Sequence, residues 1–105
     1  MSMSKHTAIP KWVSVAVWKR DNERCIVCGS PHAMPNSHIV RRSQGGRGVP
    51  ENIVTHCPEC HRLYDSYDKE VRKITMDYIM KLYPDWTEEG VTYHRYKEDG
   101  SKSDY

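Results

Sequence analysis

Two Cys-x-x-Cys pairs carry the plainest chemistry in this sequence. Cys25-Ile26-Val27-Cys28 is followed by Gly29, and Cys57-Pro58-Glu59-Cys60 forms the second pair. Each pair turns tightly enough to aim two thiolates at one ion, and four soft sulfurs close a tetrahedral shell. A closed shell leaves no position for water, so the zinc ion it implies is structural. Its binding free energy is also folding free energy, about 10–16 kcal/mol in small zinc modules. The 28 residues between Cys28 and Cys57 exceed the usual spacing, which an intervening hairpin would explain. A thioredoxin-like redox site would need one pair and a βαβ pattern, and that pattern is absent.

Between and after the cysteines lies a second polar set: Ser37-His38, Gly45-Gly46, Glu51-Asn52, Cys60-His61 and Asp65. Histidine beside a metal ligand suits hydrolysis, because its unperturbed pKa of about 6.5 lets it exchange protons near neutrality. His32, His56 and His94 fall outside this pattern, and His56, next to Cys57, reads as structural or exposed.

The order His, Gly-Gly, Asn, Cys-x-x-Cys-His, with Cys-x-x-Cys-Gly and Val17-Trp18-Lys19-Arg20-Asp21 upstream, resembles the zinc-containing form of the HNH endonuclease family. The likeness runs over residues 12–65 and rests on five elements in order. It implies a ββα-metal fold set in a treble-clef zinc domain, and hydrolysis of DNA phosphodiesters. His38 matches the general base, Asn52 the residue that fixes the base and ties the loop, and His61 a ligand of a catalytic divalent metal. That metal (Mg²⁺, Mn²⁺, Ni²⁺ or Zn²⁺) would be distinct from the zinc held by Cys25, Cys28, Cys57 and Cys60. Many family members carry Asp or His just before the base, whereas this chain has Ser37. Asp65, four residues after His61, is the expected second ligand if one helix carries both.

Arg41 and Arg42 follow the His38 strand, and Arg47 sits in the glycine loop. Arginine forks phosphate well, so these three are the expected DNA contacts, with one of the adjacent pair turned to solvent. Such a hairpin and helix would read shape and phosphates, giving low sequence specificity and nicking by a single active site. The resemblance also implies a bacterial or phage setting, with packaging or other nuclease proteins as partners.

These residues need positioning elements. Proline at 10 and at 58 marks helix starts. Trp12, Val15, Val17 and Trp18 read as one face of a helix ending near Asp21, with the tryptophans packed on the zinc site. Asn36–Val40 and Ile53–His56 read as two short strands around the Gly-rich loop. Asp65 or Ser66 reads as a cap before a helix from about Asp68 to Tyr83, with Val71, Ile74, Tyr78, Ile79 and Leu82 as core. Pro84 ends it, and Val91–Lys97 reads as a weak strand.

The expected architecture is α+β: a small zinc-stabilised treble-clef/ββα-metal domain with an N-terminal helix and a C-terminal helical extension. Residues 1–9 read as flexible, 10–97 as the domain and 98–105 as a disordered tail. A 105-residue chain with 37% apolar residues has a modest core and gains from a metal staple. Residues 1–50 carry eight Lys and Arg against two acids, a balance of +6, and residues 51–105 carry eight against twelve, a balance of −4. The basic half suits a polyanion such as DNA. No apolar run approaches a membrane span or a signal peptide, which points to the reducing cytoplasm. Two rivals fit the same residues: a zinc-stabilised nucleic-acid-binding module without catalysis, and a zinc-bound protein-interaction domain docking through its acidic half.

Overall fold

The computed structural model describes residues 4–93. The chain runs α1 (Ser4–Thr7), α2 (Lys11–Arg20), β1 (Met34–His38), β2 (Ile53–His56), α3 (Pro58–Asp65) and α4 (Lys69–Leu82), with short 3₁₀ turns at 42–44, 50–52 and 89–91. It is a small α+β fold around one antiparallel hairpin. Among the described residues, no helix is long and apolar enough to cross a membrane.

α2 follows Pro10, whose extended backbone (φ −63°, ψ 154°) makes it the residue before the helix rather than the first inside it. Val13 and Val17, one turn apart, are its buried face and pack on Ile53. The expected face is therefore corrected: Trp12 is 63% exposed and Val15 44% exposed. Trp12 does not pack on the cysteines, whose apolar neighbours are Val27 and Ala33. Below α2 the chain reverses through Asn22 and Glu23, both at positive φ.

β1 pairs with β2 with His38 opposite Ile53 and Ser37 opposite Val54. The strand ends at His38, two residues before the expected Val40. There the backbone leaves the ladder: the Val40 N–H donates to the side-chain Oδ1 of Asn52 at 2.8 Å. A side chain has taken the place of a strand partner.

α3 begins at Pro58 with the Cys57 sulfur accepting from the Cys60 N–H at 3.3 Å. The break after it is capped by Asp68, not by Asp65 or Ser66, with its carboxylate accepting from the Val71 N–H at 3.0 Å. On α4, Val71, Thr75 and Ile79 are buried, while Leu82 is exposed. Val71 and Ile79 join Ile39, Val54 and Tyr64 in the main core.

One buried carboxylate ties three elements. Asp21 accepts from the Thr55 N–H at 2.9 Å and from the Tyr78 hydroxyl at 2.5 Å, and pairs with Arg20 at 2.7 Å. Past α4, Thr92 forms an isolated antiparallel bridge with Gly46. Val91 ends the last 3₁₀ turn, which corrects the strand expected to begin there, and positions 94–97 of that strand, His94 among them, like residues 98–105, lie outside the described residues.

Candidate functional site

The cysteine centre is assembled by two turns. The Cys25 N–H donates to the Ser30 carbonyl at 2.9 Å, and the Gly29 N–H to the Cys25 carbonyl at 2.9 Å. Gly29 takes φ +80°, a left-handed conformation that suits glycine. The second turn is the start of α3. All four sulfurs lie within 4.8 Å of one another, with Cys28 and Cys57 3.6 Å apart. Tetrahedral zinc–thiolate bonds of about 2.3 Å put sulfurs about 3.8 Å apart, so the spacing fits the ion. Burial raises the Cys25 thiol, but backbone N–H groups of Cys28, Cys57 and Val27 outweigh it and bring the group to about 7. Burial then pushes Cys60 up, with the neighbouring thiols adding to it. Four adjacent thiolates repel unless a cation sits among them, which is the electrostatic case for a dication here. The cluster has the composition and dimensions of a structural zinc site.

Around the hairpin from this centre, a cleft of about 660 Å³ is lined by Ile9, Asn36, His38, Arg41, Arg42, Ser43, His61 and Asp65. β1 delivers His38 at its last residue. α3 delivers His61 and Asp65 one turn apart, with His61 Nε2 3.3 Å from an Asp65 carboxylate oxygen. Among the described residues, the cysteines are the one group of three or more His, Cys, Asp or Glu donors with metal-site spacing. The cleft thus offers two protein donors for a divalent ion and leaves the remaining positions to water or phosphate.

His38 is half-buried, and its Nε2 lies 2.9 Å from the Thr7 carbonyl. Burial lowers its pKa below the ordinary histidine value; the Thr7 carbonyl opposes this, and Arg42 and His61 add to it. Asn52 is fully buried, and none of its side-chain hydrogen bonds goes to the His38 ring. Its Oδ1 accepts from the Val40 N–H, and its Nδ2 donates to the carbonyls of Val40 at 3.2 Å and Arg47 at 2.9 Å. The glycine loop fits closely around this amide: a Cβ at Gly46 would lie 1.7 Å from the Val40 oxygen. Asn52 therefore fixes the loop that follows His38.

Arg41 and Arg42 both line the cleft, because the chain has left the strand and alternation no longer applies. Arg41 is partly buried and Arg42 is exposed, in keeping with the expectation that one of the pair faces solvent. Arg41 donates to the Asp65 carbonyl at 2.5 Å and lies over the Tyr67 ring at 4.8 Å. Arg47 is elsewhere: it lines a more apolar pocket with Val49, Glu51, Tyr83 and Trp86. Ser37, beside His38, is buried and bonded to His56. Sequence reasoning missed Ile9, Asn36 and Ser43 as cleft residues and Thr7 as a partner of His38. Nothing in their types or spacing marks them, since Thr7 acts through its backbone and lies 31 residues from His38.

A family model described as HNH endonuclease matches residues 25–66. The Nostoc sp. (strain PCC 7120 / SAG 25.82 / UTEX 2576) protein Anaredoxin is 33% identical over 45 residues, which is 42% of this chain and 59% of that protein. The match thus spans less than two thirds of that relative's length. No solved structure matches the chain significantly.

Proposed function

We propose that this chain, which carries an HNH endonuclease domain over residues 25–66, is a metal-dependent DNA endonuclease. The observation that supports this most is the shared cleft: a half-buried histidine faces a His–Asp pair and two arginines. In the proposed reaction, His38 takes a proton from a water as that water's oxygen bonds to phosphorus. The P–O bond to the leaving oxygen breaks, and that oxygen takes a proton from solvent. His61 and Asp65 would hold a divalent ion, which supplies charge stabilisation at the phosphate and leaving group. Arg41 and Arg42 hold the flanking phosphates. Asn52 is a positioning residue that keeps the loop behind His38 in place. The Cys₄ centre would serve as the structural zinc of a treble clef, fixing the start of α3 and so the place of His61.

A single active site cuts one strand, so the expected product is a nick with low sequence preference, made in the cytoplasm. The second reading is a nucleic-acid-binding module without catalysis. It is favoured by the cleft's short donor set, since Ser37 supplies none. Zinc-loaded protein incubated with supercoiled plasmid and Mg²⁺, Mn²⁺, Ni²⁺ or EDTA decides between them. Metal-dependent nicking that a folded His38→Ala variant loses supports the nuclease. Absence of cleavage with every metal, from protein that still binds DNA, establishes the binding module instead.

A further inference from the structure

Residues 6–9 lie outside the HNH segment, yet they are clamped at its cleft from several sides. The His6 ring stacks on Tyr93 with centroids 3.9 Å apart and planes 8° from parallel. The His6 carbonyl accepts from the Gly48 N–H at 3.0 Å. A Cβ at Gly48 would lie 1.9 Å from the Ala8 oxygen, so only glycine lets the arm run this close. Ile9 packs against the Val13, Val17 and Ile53 cluster. Thr7 between them is 2% exposed, and its hydroxyl accepts from Arg42 Nε at 3.3 Å. At the centre of this clamp, the Thr7 carbonyl sits 2.9 Å from His38 Nε2.

A carbonyl only accepts hydrogen bonds, so the ring nitrogen facing it must carry hydrogen. In a neutral imidazole, the other nitrogen then holds the lone pair. Among the described residues, Nδ1 of His38 makes no hydrogen bond. We infer that the N-terminal arm is a positioning element of the active site: the Thr7 carbonyl locks His38 as the Nε2–H tautomer and presents Nδ1 as the base. The fold thereby recruits a part of the chain that precedes the HNH segment to set the chemistry within it. This role in cleavage rests on the nuclease reading above, but the tautomer itself does not.

Two changes test it in the zinc-loaded full chain. One replaces the Thr7–Ala8 amide by an ester, with a peptide of residues 1–24 ligated at Cys25; this weakens the Thr7 carbonyl as an acceptor. The ester also removes the Ala8 N–H, which closes the turn of α1, so it is read beside the second change, which removes α1 whole. The other deletes residues 1–8. Long-range ¹H–¹⁵N spectra at about pH 8, above the ordinary histidine pKa of ~6.5, distinguish a protonated ring nitrogen from one with a lone pair. The intact protein is expected to show His38 as Nε2–H, and both variants a mixture of tautomers. Single-turnover nicking is expected to fall about ten- to a hundredfold, with zinc content and DNA affinity unchanged. His38 found as Nδ1–H in the intact chain, or as pure Nε2–H after deletion, overturns the inference. Faster nicking after deletion also overturns it, because the arm would then be an obstruction. Absence of nicking in every form, with the tautomer shift observed, rejects the nuclease reading and leaves the positioning intact.

Discussion

The hydroxyl of Ser37 lies 2.7 Å from Nδ1 of His56, on the core side of the hairpin, while the adjacent His38 lines the cleft. The other nitrogen of His56 lies 3.0 Å from the Thr75 hydroxyl, so the chain Ser37–His56–Thr75 links β1, β2 and α4. All three side chains are buried. Burial drives His56 down to about 4, with His61 contributing, so the ring is neutral near pH 7 and one hydroxyl accepts from it while the other donates to it. Position 37 is thus committed to the core in this chain. The serine found there, where the resemblance implies Asp or His before the proposed base, follows from that commitment.

Ser37→Asp is therefore expected to fail as a repair of the metal site. Neighbouring strand residues point to opposite faces, and the new carboxylate would stand beside His56 rather than beside His61. It would carry a charge into a site where serine is 1% exposed. The expected cost is about 1–3 kcal/mol of unfolding free energy, read by chemical denaturation. Calorimetric titration with Mn²⁺ should show no gain in affinity. Tighter Mn²⁺ binding by the variant would mean that position 37 reaches the cleft after all.

Asn52→Ala is expected to be among the costliest single substitutions in the domain. It removes the partners of the Val40 N–H, the Val40 carbonyl and the Arg47 carbonyl at once, in a site with no solvent. Buried polar groups left unpaired cost about 1–3 kcal/mol each when water cannot replace the partner, with some relief from relaxation. A total of about 2–4 kcal/mol is expected, with zinc retained because none of these bonds touches a cysteine. Nicking should fall with the loop that carries Arg41 and Arg42. A loss under about 0.5 kcal/mol, the scale of surface substitutions, would show that the amide is dispensable.

Much of this was legible in the sequence because it depends on local spacing. Cys-x-x-Cys pairs, proline at helix starts and the i, i+4 relation of His61 and Asp65 all act within a turn of chain, where residue type decides geometry. The misreadings arise where a distant partner decides. Val15 and Trp12 match an apolar face as well as Val13 does, but only Val13 and Val17 meet Ile53. Val40 looks like strand, yet the Asn52 amide captures it twelve residues away. The pocket that Arg47 lines was equally illegible, because this residue shares its type with Arg41 and Arg42 and only the path of the glycine loop places it beside Trp86. The Thr7 carbonyl has no sequence signature at all, because every residue has one.

Removal of the metal from the cysteine centre should unfold the region that carries His61. The Cys57 sulfur caps α3 through the Cys60 N–H, and the Ile26 N–H joins the first cysteine turn to the Thr55 carbonyl at 3.0 Å. Without a cation, four sulfurs packed within 4.8 Å are held by little else. A strong chelator, or Cys28→Ser, is expected to abolish cooperative unfolding and to broaden the His61 and Asp65 resonances. The stabilisation lost should be of the order of 10 kcal/mol or more, which exceeds what a domain of this size has to spare. Full retention of helical circular dichroism and a sharp transition in the metal-free protein would show that the thiols alone suffice.

The pH dependence of nicking should carry the mark of His38. Its burial favours the neutral ring, with Arg42 and His61 in the same sense, so its folded pKa lies below the ordinary 6.5. A base works when unprotonated, so the acid limb of the single-turnover rate should have its midpoint below pH 6.5, and a divalent cation held by His61 would move it further down. Stability follows the same group. Below the ordinary pKa the unfolded chain binds a proton at this histidine more readily than the folded chain does, so unfolding takes up protons and stability falls as the pH drops. The contribution is therefore fully present above about pH 6.5 and lost as the pH falls through the lower folded value. NMR titration of His38, with His38→Gln as the stability control, reads both. A midpoint at or above 6.5 for the ring, or an acid limb of nicking that does not track it, would remove His38 from the role of base.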